Sequence, residues 1–302
     1  MDAPLIALKH LGVDFEVLAG SDPWKPAQAF WRHHHGSTRC GSAPGSTIGT
    51  MYDDLTTRNH KEAIDRHGHP MLYVAGFPCP TFSTAGLRRG AAVAQGQIIV
   101  HIIAFLRVAV PGCFLLENVC GLLSDHPETL KWILQELRKL PQPYVIDMRC
   151  LNSSDHVIPQ NRNRVWILGL RKDVIVRPFT WPCPWGHLDL GCFLDPVVGC
   201  ATLDDLPTQW GARRNLLLAL KQIATQFKVN PLRRTFVVKV DNSQKWGPKW
   251  MDGMVNCMTC QTKNGQWLTD RGRRMTCAEM ARLSVALHTW NDNNIITFIF
   301  QK

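Results

Sequence analysis

The chain has 302 residues, 45% of them apolar and 19% charged, a balance that excludes an intrinsically disordered protein. Lys and Arg outnumber Asp and Glu by 34 to 24, and the formal net charge of +10 favours a polyanionic partner. The longest apolar stretch, 98–110, contains His101 and Arg107 and is shorter than the ~20 residues of a membrane span, so no membrane partner is expected. The first residues lack the pattern of a secretory signal, and we expect an intracellular protein, nuclear in a eukaryote and cytoplasmic in a bacterium.

Apolar runs bounded by Gly, Pro and acidic residues alternate with helical patterns over residues 1–170. A helix is predicted over 94–108, and another begins near Pro127, where apolar residues from Leu130 to Leu137 share one face. The alternation predicts an α/β fold whose mostly parallel sheet has helices on both faces and binds ligands beyond the carboxyl ends of its strands. The predicted strands are Phe15–Ala19, Leu72–Ala75, Phe114–Leu116, Val145–Met148 and Val165–Leu168.

Three short motifs lie at the ends of these predicted strands. Cys79 follows the second strand within a proline-restrained turn, and Glu117 opens a Glu-Asn-Val segment directly after the third strand. Arg162 and Arg164 precede the last strand, and their spacing places both on one side of an extended segment. These groups could serve acyl transfer, but no histidine occurs in a recognisable partner motif, so another chemistry fits better.

In their residues and in their order along the chain, the motifs resemble those of the C5-cytosine-specific DNA methyltransferases, which carry a Pro-Cys turn, Glu-Asn-Val and Gln-x-Arg-x-Arg. Phe82-Ser83-x-Ala-Gly86 after the turn and the segment Arg271–Leu283 resemble the same family. The resemblance covers most of the chain. It implies a Rossmann-like class I methyltransferase fold with a small target-recognition lobe, and we expect a monomer.

The resemblance also implies a mechanism. Cys79 would attack carbon 6 of cytosine as a thiolate and thereby activate carbon 5. Glu117 would hydrogen-bond N3 and the exocyclic amine, while Arg162 and Arg164 would hold a nearby phosphate and the pyrimidine oxygen, Arg164 being assigned the oxygen. S-adenosylmethionine would donate the methyl group to a cytosine flipped out of duplex DNA. The other implied residues are Asp22 (ribose), Asp54 (adenine) and Pro78 for the cofactor, and Ser83, Asn118 and Gln160 for the substrate.

The sequence departs from the family pattern at both ends and at two single positions. The family's first strand with its Phe-x-Gly-x-Gly loop and its closing Gly-Asn-Ala/Ser-Val segment have no counterpart. Pro80 stands where the family has Gln, and Val157 stands where it has Gly. We therefore expect a catalytic domain lacking its first strand over 1–171, a target-recognition region over 172–255 and an incomplete return to the catalytic domain over 256–302.

The expected recognition region is strongly basic. Residues 206–250 contain nine Lys and Arg against the single acid Asp241. Such a run alone is most often a solvated surface, but interleaved aromatic residues favour a nucleic-acid interface. The aromatic residues are Trp210, Trp246 and Trp250.

The eleven cysteines are an odd number, scattered without the spacing of a secreted scaffold, so free thiols and no disulfides are expected. Cys257-x-x-Cys260 has no second pair at zinc-site spacing, and no metal is predicted.

Two alternatives to a DNA methyltransferase remain open. The same domain could methylate cytosine in RNA such as tRNA, since the recognition region has no clear signature for either substrate. The chain could also be a catalytically impaired nucleic-acid binder, because the departures fall on the cofactor side and the basic segment is intact.

Overall fold

The computed structural model describes residues 3–35, 49–77, 98–259 and 264–284. Within these residues the chain forms two compact units, the first containing 3–151 and 164–182 and the second 152–163 and 183–284, apart from the gaps. The assignment of 172–255 to target recognition stays a prediction. The elements in chain order are α1 (Ala3–His10), β1 (Ala19–Ser21), α2 (Lys25–His35), β2 (Thr50–Tyr52), α3 (His60–His67), β3 (Leu72–Gly76), α4 (Ile98–Ala109), β4 (Cys113–Val119), α5 (Gly121–Ser124), α6 (Pro127–Arg138), β5 (Tyr144–Asn152), β6 (His156–Val157), β7 (Gln160–Asn161), β8 (Asn163–Arg171), β9 (Gly186–His187), α7 (Trp210–Phe227), β10 (Phe236–Lys239), β11 (Lys249–Asp252), β12 (Val255–Asn256), β13 (Trp267–Leu268), β14 (Arg273–Arg274) and α8 (Cys277–Leu283).

The first unit is a layered α/β structure, as the alternating pattern predicted. Its main sheet has the strand order β3-β4-β8-β5, with β3 parallel and β8 antiparallel to β4, and β1 pairs with β2 in a separate parallel sheet. The predicted helix at Pro127 is confirmed as α6, with the proline in its first turn. Buried residues from α4, α6 and the sheet form one core. Its members are Phe77, Ile99, Ile102, Ile103, Leu106, Phe114, Leu116, Leu122, Leu130, Ile133, Leu137, Leu140, Val165 and Ile167.

Two expectations for this unit are wrong. Residues 15–18 of the first predicted strand, 15–19, do not form a strand. Pairing with β2 begins only at Ala19 and ends at Ser21. Cys120 and Cys150 form a disulfide although free thiols were expected. Cys120 follows β4 and Cys150 lies in β5, and the fold brings together two cysteines whose 30-residue separation carries no signal in the sequence.

The second unit is built from short strands. An antiparallel sheet has the order β11-β10-β13-β14, and two parallel pairs join β12 to β7 and β6 to β9. Helix α7 buries one face at helical spacing and leaves its other face to solvent. Its buried residues are Ala212, Asn215, Leu216, Ala219, Leu220 and Ile223.

Among the helices of the described ranges, none combines the length and the apolar character that crossing a bilayer requires.

Candidate active site

Glu117 lies near the carboxyl end of β4, beside the end of β3. Gly76 is its partner across the two parallel strands, and the Phe77 N–H donates a hydrogen bond to the Glu117 carbonyl oxygen at 3.3 Å. A Cβ atom at Gly76 would lie 3.2 Å from Glu117 Oε2, so glycine there leaves room for the carboxylate. The strand ends thus place the predicted acid beside the backbone that leads toward Cys79.

Arg164 reaches the same carboxylate from β8. In the antiparallel register it faces Val119, and its Nε lies 2.8 Å from Glu117 Oε1. The side chains of Arg164 and Glu117 are only 15% and 22% exposed. A charge-assisted hydrogen bond in such a half-buried place is shorter and stronger than a neutral one. The structure therefore brings together two of the four predicted catalytic residues.

Asn118 supplies a further polar group next to this pair. Its side chain is 2% exposed, and its Oδ1 accepts a hydrogen bond from the Val119 N–H at 2.8 Å. Its Nδ2 is buried without a hydrogen-bond partner among the described residues. An unpaired buried donor costs free energy, and such groups concentrate at functional sites.

Arg162 belongs to the second unit, whereas Arg164 belongs to the first. The Arg162 backbone N–H donates to Asn152 Oδ1 at 2.8 Å, and its Nη1 lies 3.7 Å from Cys257 Sγ. Asn152 also donates from Nδ2 to Asn161 Oδ1 at 3.0 Å. Sequence reasoning missed Asn152, although an asparagine followed by Ser-Ser-Asp is a signal for side-chain capping of nearby backbone.

The segment before Gln160 has an unusual backbone. Val157 has a φ of +78°, a region that β-branched residues rarely adopt. Gln160, predicted to bind substrate, is 4% exposed and pairs with Val255 of β12. The position at which the sequence has Val in place of the family's Gly is therefore one that requires a positive φ.

The two predicted cofactor carboxylates follow neighbouring parallel strands. Asp22 comes directly after β1, and its N–H donates to the Tyr52 carbonyl oxygen at 3.2 Å. Asp54 follows β2 and accepts the Thr56 N–H at Oδ1 at 2.8 Å. Because the carboxyl ends of parallel strands meet at one edge, both acids lie at the edge where ligands bind in such sheets.

The remaining predicted site residues, Pro78, Cys79 and Ser83, lie outside the described residues. The structure therefore places Glu117 and Arg164 together, with Asn118 next to Glu117 in β4, places Arg162 and Gln160 in the second unit, and leaves the role of each a prediction.

The family model for C-5 cytosine-specific DNA methylases matches residues 5–190, which is more than half of the chain. The chain belongs to this family. It is 36% identical over 134 residues to the type II methyltransferase M.HpaII of Haemophilus parainfluenzae, covering 44% of this chain and 37% of that protein. It is 35% identical over 162 residues to M.NlaX of Neisseria lactamica, covering 53% and 45%. The chain thus spans less than half the length of these relatives.

A solved structure from an E. coli prophage, described as a DNA modification methyltransferase, matches with a TM-score of 0.53 at 16% identity, covering 92% of this chain and 84% of that one. This likeness concerns the fold and confirms the predicted α/β, Rossmann-like class I architecture.

The basic segment, residues 206–250, lies beyond the residues that the family model matches. Trp210 and Trp246 are 67% and 69% exposed, as a nucleic-acid interface would require. Trp250 instead packs beside the core, makes edge-to-face contacts with Phe227 and Phe236, and donates from Nε1 to Gln222 Oε1 at 3.0 Å. Two of the three tryptophans are therefore available to a partner, and the third is structural.

Among the described cysteines, Cys113 does not have the properties of a nucleophile. Cys113 lies in β4, where burial raises the pKa of its thiol to about 11, so it stays protonated at neutral pH. Among the described residues no group of three or more His, Cys, Asp or Glu side chains could hold a metal ion.

Proposed function

We propose that this protein is a DNA cytosine-5 methyltransferase that transfers a methyl group from S-adenosylmethionine to carbon 5 of a cytosine flipped out of duplex DNA. Membership of the family supports the reaction class. The observation that assigns residues to this reaction is the Glu117–Arg164 ion pair at the adjoining ends of β4 and β8. The Phe77 N–H donates to the backbone carbonyl oxygen of the same glutamate. The assignment of each catalytic role rests on the family motif.

The family motif supports Cys79 as the nucleophile, since the Pro-Cys turn follows the predicted strand Leu72–Ala75. Attack by this thiolate on carbon 6 would turn the ring into an enamine that can take a methyl group at carbon 5. Loss of the carbon-5 proton to a base would then expel the thiolate from carbon 6 and restore the aromatic ring.

Glu117 and Arg164 would stabilise the charge that this attack displaces onto the ring. Glu117 would hydrogen-bond N3 and the exocyclic amine, and Arg164 would hold the pyrimidine oxygen. Because the two side chains already bond one another, little reorganisation is needed to present both to one base. Asn118, whose buried Nδ2 lacks a partner among the described residues, is a candidate donor to the substrate, while Arg162 would hold a phosphate and Gln160 and Ser83 would complete the site.

The edge formed by β1 and β2 fits S-adenosylmethionine, which supplies an electrophilic methyl group when bound. Carboxylates suit the hydroxyls of a ribose and the amine of an adenine, and Asp22 and Asp54 occupy that edge. Pro78 is assigned to the cofactor by the family motif alone. Asp22 would hold the ribose and Asp54 would lie near the adenine.

Transfer of labelled methyl from S-adenosylmethionine to unmethylated duplex DNA tests the proposal, with tRNA as a second substrate. Wild-type protein should label DNA cytosine, and Cys79→Ser should abolish labelling while DNA binding persists. Cys277→Ser, which changes an exposed thiol in α8, is the matched control and should behave as wild type. Labelling of tRNA alone would replace DNA by RNA as the substrate, and retained transfer by Cys79→Ser would remove the thiolate from the mechanism.

Glu117→Gln should lower the rate of transfer by about 10²–10³-fold, as loss of one group that stabilises developing charge does in other enzymes. A rate within a few-fold of wild type would refute the assigned role of Glu117 even if Cys79 is essential.

A further inference from the structure

Trp246 is exposed on a hairpin loop of the second unit. The loop joins β10 to β11, and 69% of the tryptophan is open to solvent. The Lys245 Nζ lies 5.6 Å from the centroid of its ring, a cation–π contact that leaves most of the ring surface free. A large indole kept in water on an ordered loop is typical of a binding surface.

The loop is held by hydrogen bonds, so the exposure of Trp246 is built into the fold. Asn215 of α7 is 2% exposed and donates from Nδ2 to the carbonyl oxygens of Val240 and Asn242, both at 2.8 Å. Asn242 in turn donates to the Gly247 carbonyl oxygen at 3.0 Å, and the Trp246 N–H donates to Ser243 at 3.1 Å. A loop fixed in advance loses little conformational entropy when it binds.

The hairpin carries positive charge that its own residues do not balance. Lys239 faces Lys249 directly across the antiparallel pair, an arrangement that is unfavourable in isolation. The acid of the loop, Asp241, is already engaged by two hydrogen bonds from Arg274 at 2.7 and 2.8 Å. In the described part of the chain no acid pairs with Lys239, Lys245 or Lys249, so the surface suits a polyanion.

A second tryptophan with a cation lies on the helix that holds this loop. Trp210 is 67% exposed, and the Arg214 guanidinium lies 6.0 Å from its ring centroid. Arg214 immediately precedes Asn215, whose amide binds the loop of Trp246. Buried Asn215 therefore joins the helix that carries Trp210 to the loop that carries Trp246, and each of these exposed indoles has an adjacent cation.

We propose that Trp246 stacks on an unpaired base of DNA whose phosphates are held by the lysines of the hairpin. A base offers a flat π face to the indole and a phosphate to the lysines, so one ligand satisfies both features. An apolar protein partner would leave three lysines unpaired. The inference rests on the proposed function for its choice of DNA as the polyanion. It adds a stacking contact that does not depend on the hydrogen-bonding groups at the edges of the base.

The test is equilibrium binding of the full chain to a duplex that contains one unpaired base, measured by fluorescence anisotropy over a range of salt concentrations. Trp246→Ala should weaken binding roughly 5- to 100-fold, the loss expected for one stacked base. It should leave the slope of log affinity against log salt unchanged, because no phosphate contact is removed. Trp246→Phe should restore most of the affinity, and Trp24→Ala, which removes a tryptophan that is 64% exposed in the first unit, should match wild type.

Lys245→Gln should instead reduce the salt slope by about one unit. Heparin, a polyanion without bases, separates stacking from charge: Trp246→Ala should bind it as wild type does. Three results would each overturn the inference: an equal loss of heparin binding by Trp246→Ala, wild-type affinity of Trp246→Ala for the duplex with one unpaired base, or no DNA binding by wild-type protein. Methyl transfer is measured in parallel, so a Trp246 effect without labelled cytosine would refute only the proposed function, and labelled cytosine without a Trp246 effect would refute only the inference.

Discussion

The two compact units are stabilised by different kinds of interaction. The first has one continuous core of fourteen buried apolar residues between helices and sheet. The second has two smaller clusters, of eight and seven buried residues, and relies on polar side chains that bind distant backbone. Asn215 fixes one loop in this way, and buried Glu279 accepts hydrogen bonds from Arg273 and from the N–H groups of Asp195 and Thr276.

This difference explains why local patterns describe one unit and not the other. Burial of an apolar face leaves a period of two or 3.6 residues in the sequence, whereas a hydrogen bond from the Asp195 N–H to the carboxylate of Glu279, 84 residues away, leaves none. Substitutions that act on a core, a cross-link, a polar network or a strained backbone should therefore have distinguishable effects in the two units.

The largest effect is expected in the first unit, at Cys120–Cys150. The disulfide closes a loop across 30 positions of sequence, and removing such a cross-link should lower the free energy of unfolding by about 3–4 kcal/mol through the entropy of the unfolded chain. Urea unfolding of Cys120→Ser/Cys150→Ser, compared with wild type with and without dithiothreitol, measures it. Cys183→Ser/Cys192→Ser, which alters two exposed free thiols, is the control. Titration of Cys120 and Cys150 as free thiols without reductant would contradict the pairing.

The next largest effect is a pH dependence in the second unit. Burial by itself would raise the pKa of Glu279, but hydrogen bonds from Arg273 and from the backbone of Thr276 and Asp195 outweigh it and lower the pKa from 4.5 to about 2. As pH falls the unfolded chain takes up the proton first, so the stabilisation is complete above about 4.5 and is lost as pH approaches 2. Wild type should lose on the order of 3 kcal/mol in this interval relative to Glu279→Gln.

Urea unfolding at several pH values between 7 and 2 checks this expectation, with Glu128→Gln as a control because that carboxylate is exposed on α6. If the free energy of unfolding changes with pH in the same way for wild type and Glu279→Gln, the network does not stabilise the charged carboxylate of Glu279.

A smaller effect should follow from overpacking the core of the first unit. A Cβ atom on Gly169 of β8 would lie 2.1 Å from the ring of Phe114, its partner on β4, which is fully buried. Gly169→Ala should therefore lower the free energy of unfolding by about 1–3 kcal/mol. Gly211→Ala in α7, where a Cβ meets nothing within 4 Å, should leave it unchanged or raise it by less than about 1 kcal/mol. Thermal unfolding of both variants measures the contrast, and equal shifts would contradict it.

The extent of sequence-based prediction follows the same division. The strands around Leu72, Phe114 and Val165 were predictable as apolar runs bounded by Gly, Pro and acidic residues. The helix at Pro127 was predictable because the spacing of its apolar residues reports the buried face. The site residues at strand ends were found through motifs, and Glu117 and Arg164 do meet in space. Neither α7 nor the pairing of Cys120 with Cys150 was predicted: the disulfide depends on long-range contacts, and the buried face of α7 includes Asn215, a polar residue.

Val157 offers the most sensitive test of the comparison, because it concerns backbone strain alone. A positive φ costs an L-residue about 1–2 kcal/mol, while glycine gains conformational entropy on unfolding worth about 0.5–1 kcal/mol, so Val157→Gly should raise the free energy of unfolding by roughly 0.5–1 kcal/mol. Val198→Gly, at a residue that is 97% exposed with an ordinary φ, should lower it by a similar amount. Urea unfolding of the two variants gives opposite signs if tertiary contacts impose this backbone on valine. The same sign in both would mean that local preference, and not the surrounding second unit, sets the conformation at residue 157.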